Sequence, residues 1–163
     1  QNNSTKSIDK VLEKWENIKV EEKHEKSCAS RLERVPKALP ALVRAFKVQK
    51  KAADVGFDWD DVSGAFDKVA EEYAEFMEQY AEAASSKQRL EEEMGDLLFS
   101  CVNVARFLDI DPESALNYTS DKFTRRFRYI EERANADGRR LEDMSLEEKD
   151  KLWEEAKGLE HTV

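Results

Sequence analysis

Apolar residues recur at helical spacing along almost the whole chain, and polar runs interrupt them at a few points. Ile8, Val11, Leu12, Trp15 and Ile18 lie on one face and predict a first helix over 8–23, with charged residues on the other face. Residues 24–40 contain two prolines and few periodic apolar positions, so an arm or loop with at most a short helical turn is expected. Pro40 suits a first helical turn. A second helix therefore follows it, carries Leu42, Val43, Phe46 and Val48, continues to about residue 55 and stops at Gly56. Residues 57–64 are a connector with the acidic centre Asp58-Trp59-Asp60-Asp61. From Ala65 the pattern resumes through Phe66, Val69, Tyr73, Phe76, Met77 and Tyr80 and ends in the turn at 83–86. The next helix spans 87–108, and Asp111 with Pro112 opens another that reaches about residue 135. After a break at Asp137-Gly138, Ser145 and Glu148 form a capping box for a short last helix through Trp153.

No segment alternates at period two, so the expected fold class is all-α, without internal repeats. Three prolines and five glycines in 163 residues agree with this. Residues 1–7 read as the remnant of a polar linker, as if the chain had been cut from a longer protein, and 8–160 as one all-α domain. The formal charge of −9 argues against nucleic-acid polymers and anionic membranes as partners, since both require a basic surface. No apolar run approaches the ~20 residues of a membrane helix. Cys28 and Cys101 make a poor disulfide framework, and Cys101, in an apolar run, reads as a buried free thiol. A reducing, cytoplasmic compartment is expected.

Four acids stand out. Glu72 and Glu75 are three residues apart, as are Glu93 and Asp96, and positions three apart share a helix face. Two such helices, joined at Ser85-Ser86 and packed antiparallel, would bring all four carboxylates together. They repel strongly unless a cation lies between them. An all-oxygen site suits a hard cation, Mg2+ or alternatively Mn2+. Glu71, Glu78, Glu82, Glu91 and Glu92 read as surface. Asp96 opens a run that is apolar on all sides, so its helix is expected to be buried nearly all round, with a charge that needs partners or a metal. Asn103 shares that face, either in a hydrogen-bonded polar ladder or beside the metal, facing substrate. Gly95, in mid-helix, is expected to admit a closely packed neighbouring helix.

An acidic chain repels a phosphorylated substrate unless the substrate brings its metal or meets a local basic cluster. Lys122 and Arg126, four apart, supply such a cluster, while Phe123, Phe127 and Ile130 line a core face. Trp59 and Trp153 are either core residues or stacking plates for a base. His24 and His161 sit among charged residues, and nothing suggests a nucleophile-base pair.

These residues resemble a known family. The pattern Glu71-Glu72-x-x-Glu75 followed by Glu93-x-x-Asp96 resembles the signature of MazG-type nucleoside triphosphate pyrophosphohydrolases, in the all-α NTP pyrophosphatase superfamily. Val35-Pro36-Lys37-Ala38-Leu39-Pro40-Ala41-Leu42, Val55-Gly56-Phe57-Asp58-Trp59, Glu91 to Phe99, and Lys122-Phe123-x-Arg125-Arg126-Phe127 resemble its blocks in order, over roughly 15–153. The resemblance is to the C-terminal, catalytic half of the two-domain bacterial protein. It implies a four-helix-bundle-type unit with extra N- and C-terminal helices, assembling as an intertwined homodimer. It also implies hydrolysis of nucleoside triphosphates, probed by no narrow base filter, to monophosphate and pyrophosphate. Carried over, Glu72, Glu75, Glu93 and Asp96 would bind Mg2+ and serve catalysis, Lys122 and Arg126 would hold phosphates, Trp153 would be near the base, and Asn103 would contact substrate. A non-catalytic helical dimerisation module, or a narrow pyrophosphatase for dUTP or a non-standard nucleotide, are the rival readings.

Overall fold

Six α-helices and one 3-10 turn make up the regular structure among the described residues, 27–82 and 84–160, of this computed structural model. No strand occurs among them, and the all-α expectation holds. The linker and helix expected over 1–7 and 8–23 lie outside the described residues, as do His24 and His161. The chain divides into two compact units, the first ending at Pro112 and the second beginning at Glu113.

In the first unit, α1 (Cys28–Glu33) is the short helical stretch allowed for in the arm. Ser27 starts it, its hydroxyl accepting the Ser30 amide at 3.1 Å. The next helix, α2 (Ala41–Ala53), begins directly after Pro40, and Gly56 turns the chain at φ +84, a left-handed conformation that glycine adopts without strain. Then α3 (Val62–Ala81) starts three residues ahead of the apolar pattern, because Asp61 caps it and accepts the Ser63 amide at 2.7 Å. The last helix of the unit, α4 (Lys87–Phe107), is capped by Ser86. It packs against both α3 and α2, and α1 packs on α2.

The buried residues of this unit are small. Val35, Ala65 and Val102 form its apolar core, and no large side chain among the described residues is fully buried. Two expectations about α4 are corrected accordingly. It is not buried all round: Met94, Leu98 and Phe99 are 40 to 51 % exposed, and the Cys101 thiol is exposed rather than buried. Within the unit only α2 and α3 pack on α4, so they cover one side of it. No described residue of the chain makes the close approach expected at Gly95, since nothing lies within 4 Å of where its Cβ would be. The close approach occurs at Gly64, where a Cβ would stand 2.8 Å from Trp59 Cδ2.

The second unit holds most of α5 (Pro112–Ala136), a 3-10 turn (Leu141–Asp143) and α6 (Leu146–Glu160). The capping box forms as expected: the Ser145 amide donates to Glu148 at 2.8 Å and the Glu148 amide to the Ser145 hydroxyl at 3.2 Å. Arg139 adds a 2.6 Å ion pair to Glu148. That guanidinium first, and the Ser145 bonds second, pull the Glu148 carboxyl down to about 2. Beyond Trp153 the helix continues to Glu160, held to α5 by Arg126 to Glu160 and Tyr129 to Glu155 bonds that the apolar pattern does not display. Ile130, Ala134, Met144 and Ala156 are the buried apolar residues; Phe123 and Phe127, expected in the core, are about half exposed. No described helix is long and apolar enough to cross a membrane.

Candidate functional site

Glu75 lies six residues before the end of α3 at Ala81, and Glu93 six residues after the start of α4 at Lys87. The hairpin of these two helices therefore sets them at the same height, and the i, i+3 spacing adds Glu72 to the same side. Each of Glu72, Glu75 and Glu93 offers one carboxylate oxygen, and the three oxygens lie within 4.8 Å of one another. Burial increases across the trio from exposed Glu75 through half-buried Glu93 to Glu72, which is only 6 % exposed.

Asp96 is the exception to the four-acid expectation. It is exposed and stands outside the trio, so the costly carboxylate is Glu72 rather than Asp96. Its charge is nevertheless felt. The Glu93 carboxyl is pushed up, chiefly by burial and then by the negative charges of Glu75, Asp96, Glu72 and Glu92. One cation answers part of this: the Lys68 ammonium lies 2.6 Å from Glu72 and 3.0 Å from Glu71. These bonds, Glu72 first, raise the lysine pKa and keep it charged. Among the described residues no basic side chain pairs with Glu75 or Glu93. Three converging oxygens short of positive charge fit a hard divalent cation by donor type and by electrostatics.

Beside the trio is a cavity of about 450 Å³. Lys68, Glu72 and Asp96 form its acid-site side; Phe57, Trp59 and Phe99 are aromatic parts of its wall. Asn103 also lines it, and its Oδ1 accepts from Arg106 Nε at 2.9 Å. Arg106 in turn pairs with Asp58 at 2.5 Å and lies 4.5 Å from the Phe107 ring centre. The Asn103 side chain is thus held in the wall by an arginine that is itself anchored across the connector.

Lys122, Arg126 and Trp153 come together in the second unit. The Arg126 guanidinium stands 5.4 Å from the Trp153 ring centre and pairs with Glu160. Phe123 packs on Trp153 at 5.0 Å, and Lys122 lies 5.7 Å from the Tyr118 ring. Arg126 most strongly, then Arg125 and Lys122, draw the Glu160 carboxyl below its ordinary range.

Sequence reasoning passed over Lys68, Gln49 and the Asp58 to Arg106 pair. Lys68 was readable, being four residues before Glu72 on the same helix. Gln49 follows Leu42 and Phe46 at seven and three residues, a polar residue on an apolar stripe. The Asp58 to Arg106 pair joins residues 48 apart and left no local signal.

A helical chain with a carboxylate trio suited to a divalent cation, next to an aromatic-walled cavity, has the make-up of a metal-binding protein with a small-ligand site. Residues 52–130 match the MazG nucleotide pyrophosphohydrolase domain, so that stretch of the chain is a MazG domain. It is 44 % identical over 154 residues to the nucleoside triphosphate pyrophosphohydrolase of Escherichia coli (strain K12), covering 94 % of this chain and 59 % of that protein. It is 45 % identical over 148 residues to the nucleoside triphosphate pyrophosphohydrolase/pyrophosphatase MazG of Thermotoga maritima, covering 91 % and 56 %. With the uncharacterized protein YabN of Bacillus subtilis it shares 56 % identity over 150 residues, covering 92 % and 30 %. The chain thus spans less than two thirds of the length of these relatives.

Proposed function

We propose that this chain hydrolyses nucleoside triphosphates at the α-phosphorus, giving nucleoside monophosphate and pyrophosphate, with a Mg2+ ion held by Glu72, Glu75 and Glu93 and with Asp96 beside them. The observation that carries this reading is the convergence of the three carboxylate oxygens within 4.8 Å inside a MazG domain. The activities for which the E. coli and T. maritima relatives are named support it. Mn2+ satisfies the same oxygen donors and is the expected substitute. Acceptance of all the common bases is part of the proposal.

The bound metal would act as a Lewis acid on the phosphate chain. Glu75, the exposed member of the trio, is reachable by a water and can accept its proton. Lys68 holds the Glu72 side chain in place through its ion pair. Glu93, with its raised affinity for a proton, gains most from a neighbouring positive charge. Asn103, fixed by Arg106, offers its amide nitrogen to substrate from the cavity wall. Lys122 and Arg126 are proposed as phosphate ligands and Trp153 as a neighbour of the base, on the family resemblance.

A homodimer is proposed as the working form, in a reducing, cytoplasmic compartment. Phe66, Tyr73, Met77 and Tyr80 recur at spacings of seven, four and three on α3 and are 42 to 69 % exposed, as are Met94 and Leu98 on α4 at 40 and 51 %. A second copy covering these residues would supply the burial that the small core lacks. The test of function is incubation with each common NTP, with and without Mg2+, for wild type and for Glu75→Gln. Monophosphate and pyrophosphate from wild type with metal, and neither from the variant, is the expected result. Diphosphate and inorganic phosphate, or full activity in Glu75→Gln, would overturn the assignment.

A further inference from the structure

The connector between α2 and α3 supplies Gly56, Phe57, Asp58 and Trp59 to the 450 Å³ cavity, yet packing holds it weakly, with Phe57 82 % and Trp59 49 % exposed. Its ends are fixed by short-range contacts. The Phe57 amide donates to the Ala52 carbonyl at 3.1 Å, and the Trp59 ring lies close to Gly64. Among the described residues, one ion pair ties residues 56–61 to α4: the Arg106 guanidinium donates to Asp58 Oδ1 at 2.5 Å. The pair is shielded, the two side chains being 12 and 23 % exposed. Arg106 makes two further contacts, its Nε donating to Asn103 Oδ1 at 2.9 Å and its guanidinium lying 4.5 Å from the Phe107 ring centre. A guanidinium is a planar fork that carries donors only, so Asp58 and Asn103 must both turn oxygen toward it. One side chain thus joins the connector, Asn103 and α4, and all three contribute to the cavity.

We propose that Arg106 is a positioning residue: by latching Asp58 it holds the connector on α4, and with it the aromatic wall of the cavity beside the carboxylate trio. This deepens the proposed NTP hydrolysis and rests on it. Neither Asp58 nor Arg106 belongs to the trio, so the latch acts on the uptake of substrate and not on the hydrolytic step. Once it is released, the connector is tied at its two ends alone and its wall is in place for only part of the time. The apparent affinity of a site falls by the fraction of molecules that hold the binding-competent form. The cost of losing the latch therefore falls on KM, while kcat, set at the trio, stays close to its original value.

The experiment is steady-state kinetics with ATP and Mg2+ on Asp58→Ser, Arg106→Met and the double variant. Serine keeps an acceptor for the Trp59 amide, which Asp58 now serves at 3.0 Å, but is too short to reach Arg106. Each single change is expected to raise KM about tenfold with kcat within about threefold of wild type, the worth of one charge-assisted hydrogen bond in population. The double variant should be no worse than either single one, because both changes remove the same bond. Emission of Trp59, in a Trp15→Phe, Trp153→Phe background, should shift to the red in Asp58→Ser as the connector comes free. An unchanged KM in Asp58→Ser, a loss confined to kcat, or a roughly hundredfold, additive rise of KM in the double variant would overturn the proposal. Asp58→Ser changes a connector residue and decides the matter by itself if Arg106→Met does not fold. Hydrolysis with KM unmoved refutes the latch and leaves the activity standing; no hydrolysis by wild type, with Trp59 released in Asp58→Ser, refutes the activity and leaves the latch.

Discussion

Adding one methyl group at Gly64 tests how the aromatic wall of the cavity is placed. In Gly64→Ala the new Cβ would meet Trp59 Cδ2 at 2.8 Å, Cε3 at 2.9 Å and Cγ at 3.0 Å. Carbon atoms attract best at ~3.5–4.0 Å, so the ring must retreat by roughly 1 Å. Two effects oppose each other. Alanine is worth up to ~1 kcal/mol over glycine in a helix interior and less in the first turn, where Gly64 stands, which still favours the variant in α3. Forcing a methyl into an occupied space costs ~1–3 kcal/mol when the neighbour cannot move. Trp59 is about half exposed, so it can swing toward water, and the cost falls at the low end of that range. The net change in stability should lie within about 1 kcal/mol of zero, while the ring leaves its position. Urea unfolding measures the first quantity. Emission and acrylamide quenching of Trp59, in a Trp15→Phe, Trp153→Phe background, measure the second. The expected result is an unfolding midpoint near that of the parent and a red-shifted, more readily quenched Trp59. A gain of the full helix propensity with an unchanged spectrum would show that Trp59 does not pack on Gly64.

Glu72→Gln and Glu93→Gln should each lower kcat by roughly a hundredfold or more with Mg2+, as expected if several kcal/mol of Lewis-acid assistance is lost; steady-state assays near wild-type rates would contradict the trio. Lys68→Met leaves the Glu72 carboxylate, 6 % exposed, without its counter-charge, and should cost about 1–3 kcal/mol in metal-free buffer. Added Mg2+ should then raise the melting temperature more in this variant than in wild type, and equal increments would count against a shared role at Glu72. The Glu148 carboxyl titrates at about 2 in the folded chain against an ordinary 4.5, so its contribution is full above about pH 4.5 and is lost as the pH falls through about 2. The helical signal of α6 should decline over that window, and Glu148→Gln should lack the titrating component; an identical acid profile in the two proteins would refute the pair with Arg139.

What was legible in the sequence was local. Helix ends marked by chemistry that acts within a turn appeared where expected, as at Pro40, Gly56, Pro112 and the Ser145 to Glu148 box. The trio was legible because an i, i+3 spacing on each arm of a short hairpin constrains height and face together. Asp96 belonged to the same pattern and lies level with Glu72 on the antiparallel hairpin, yet it is exposed and outside the group whose oxygens converge within 4.8 Å. Its helix was misjudged because composition reports how apolar a helix is and not what covers it; Met94 and Leu98 remain open within the chain. Lys68 was passed over although it stands four residues before Glu72 on one helix. Gln49 and the Asp58 to Arg106 pair depend on contacts between residues about 50 apart, Gln49 with Phe99 and Asp58 with Arg106, and periodicity carries no information at that range.

Oxygen-18 water reports directly whether water attacks the α-phosphorus. The chain is incubated with ATP and Mg2+ in labelled water, and the products are read by phosphorus NMR for the isotope shift. Label is expected in AMP and none in the pyrophosphate. Label in pyrophosphate would mean that the β-phosphorus is attacked, and label in inorganic phosphate that the γ-phosphorus is; either result would contradict the proposed chemistry at Glu72, Glu75 and Glu93.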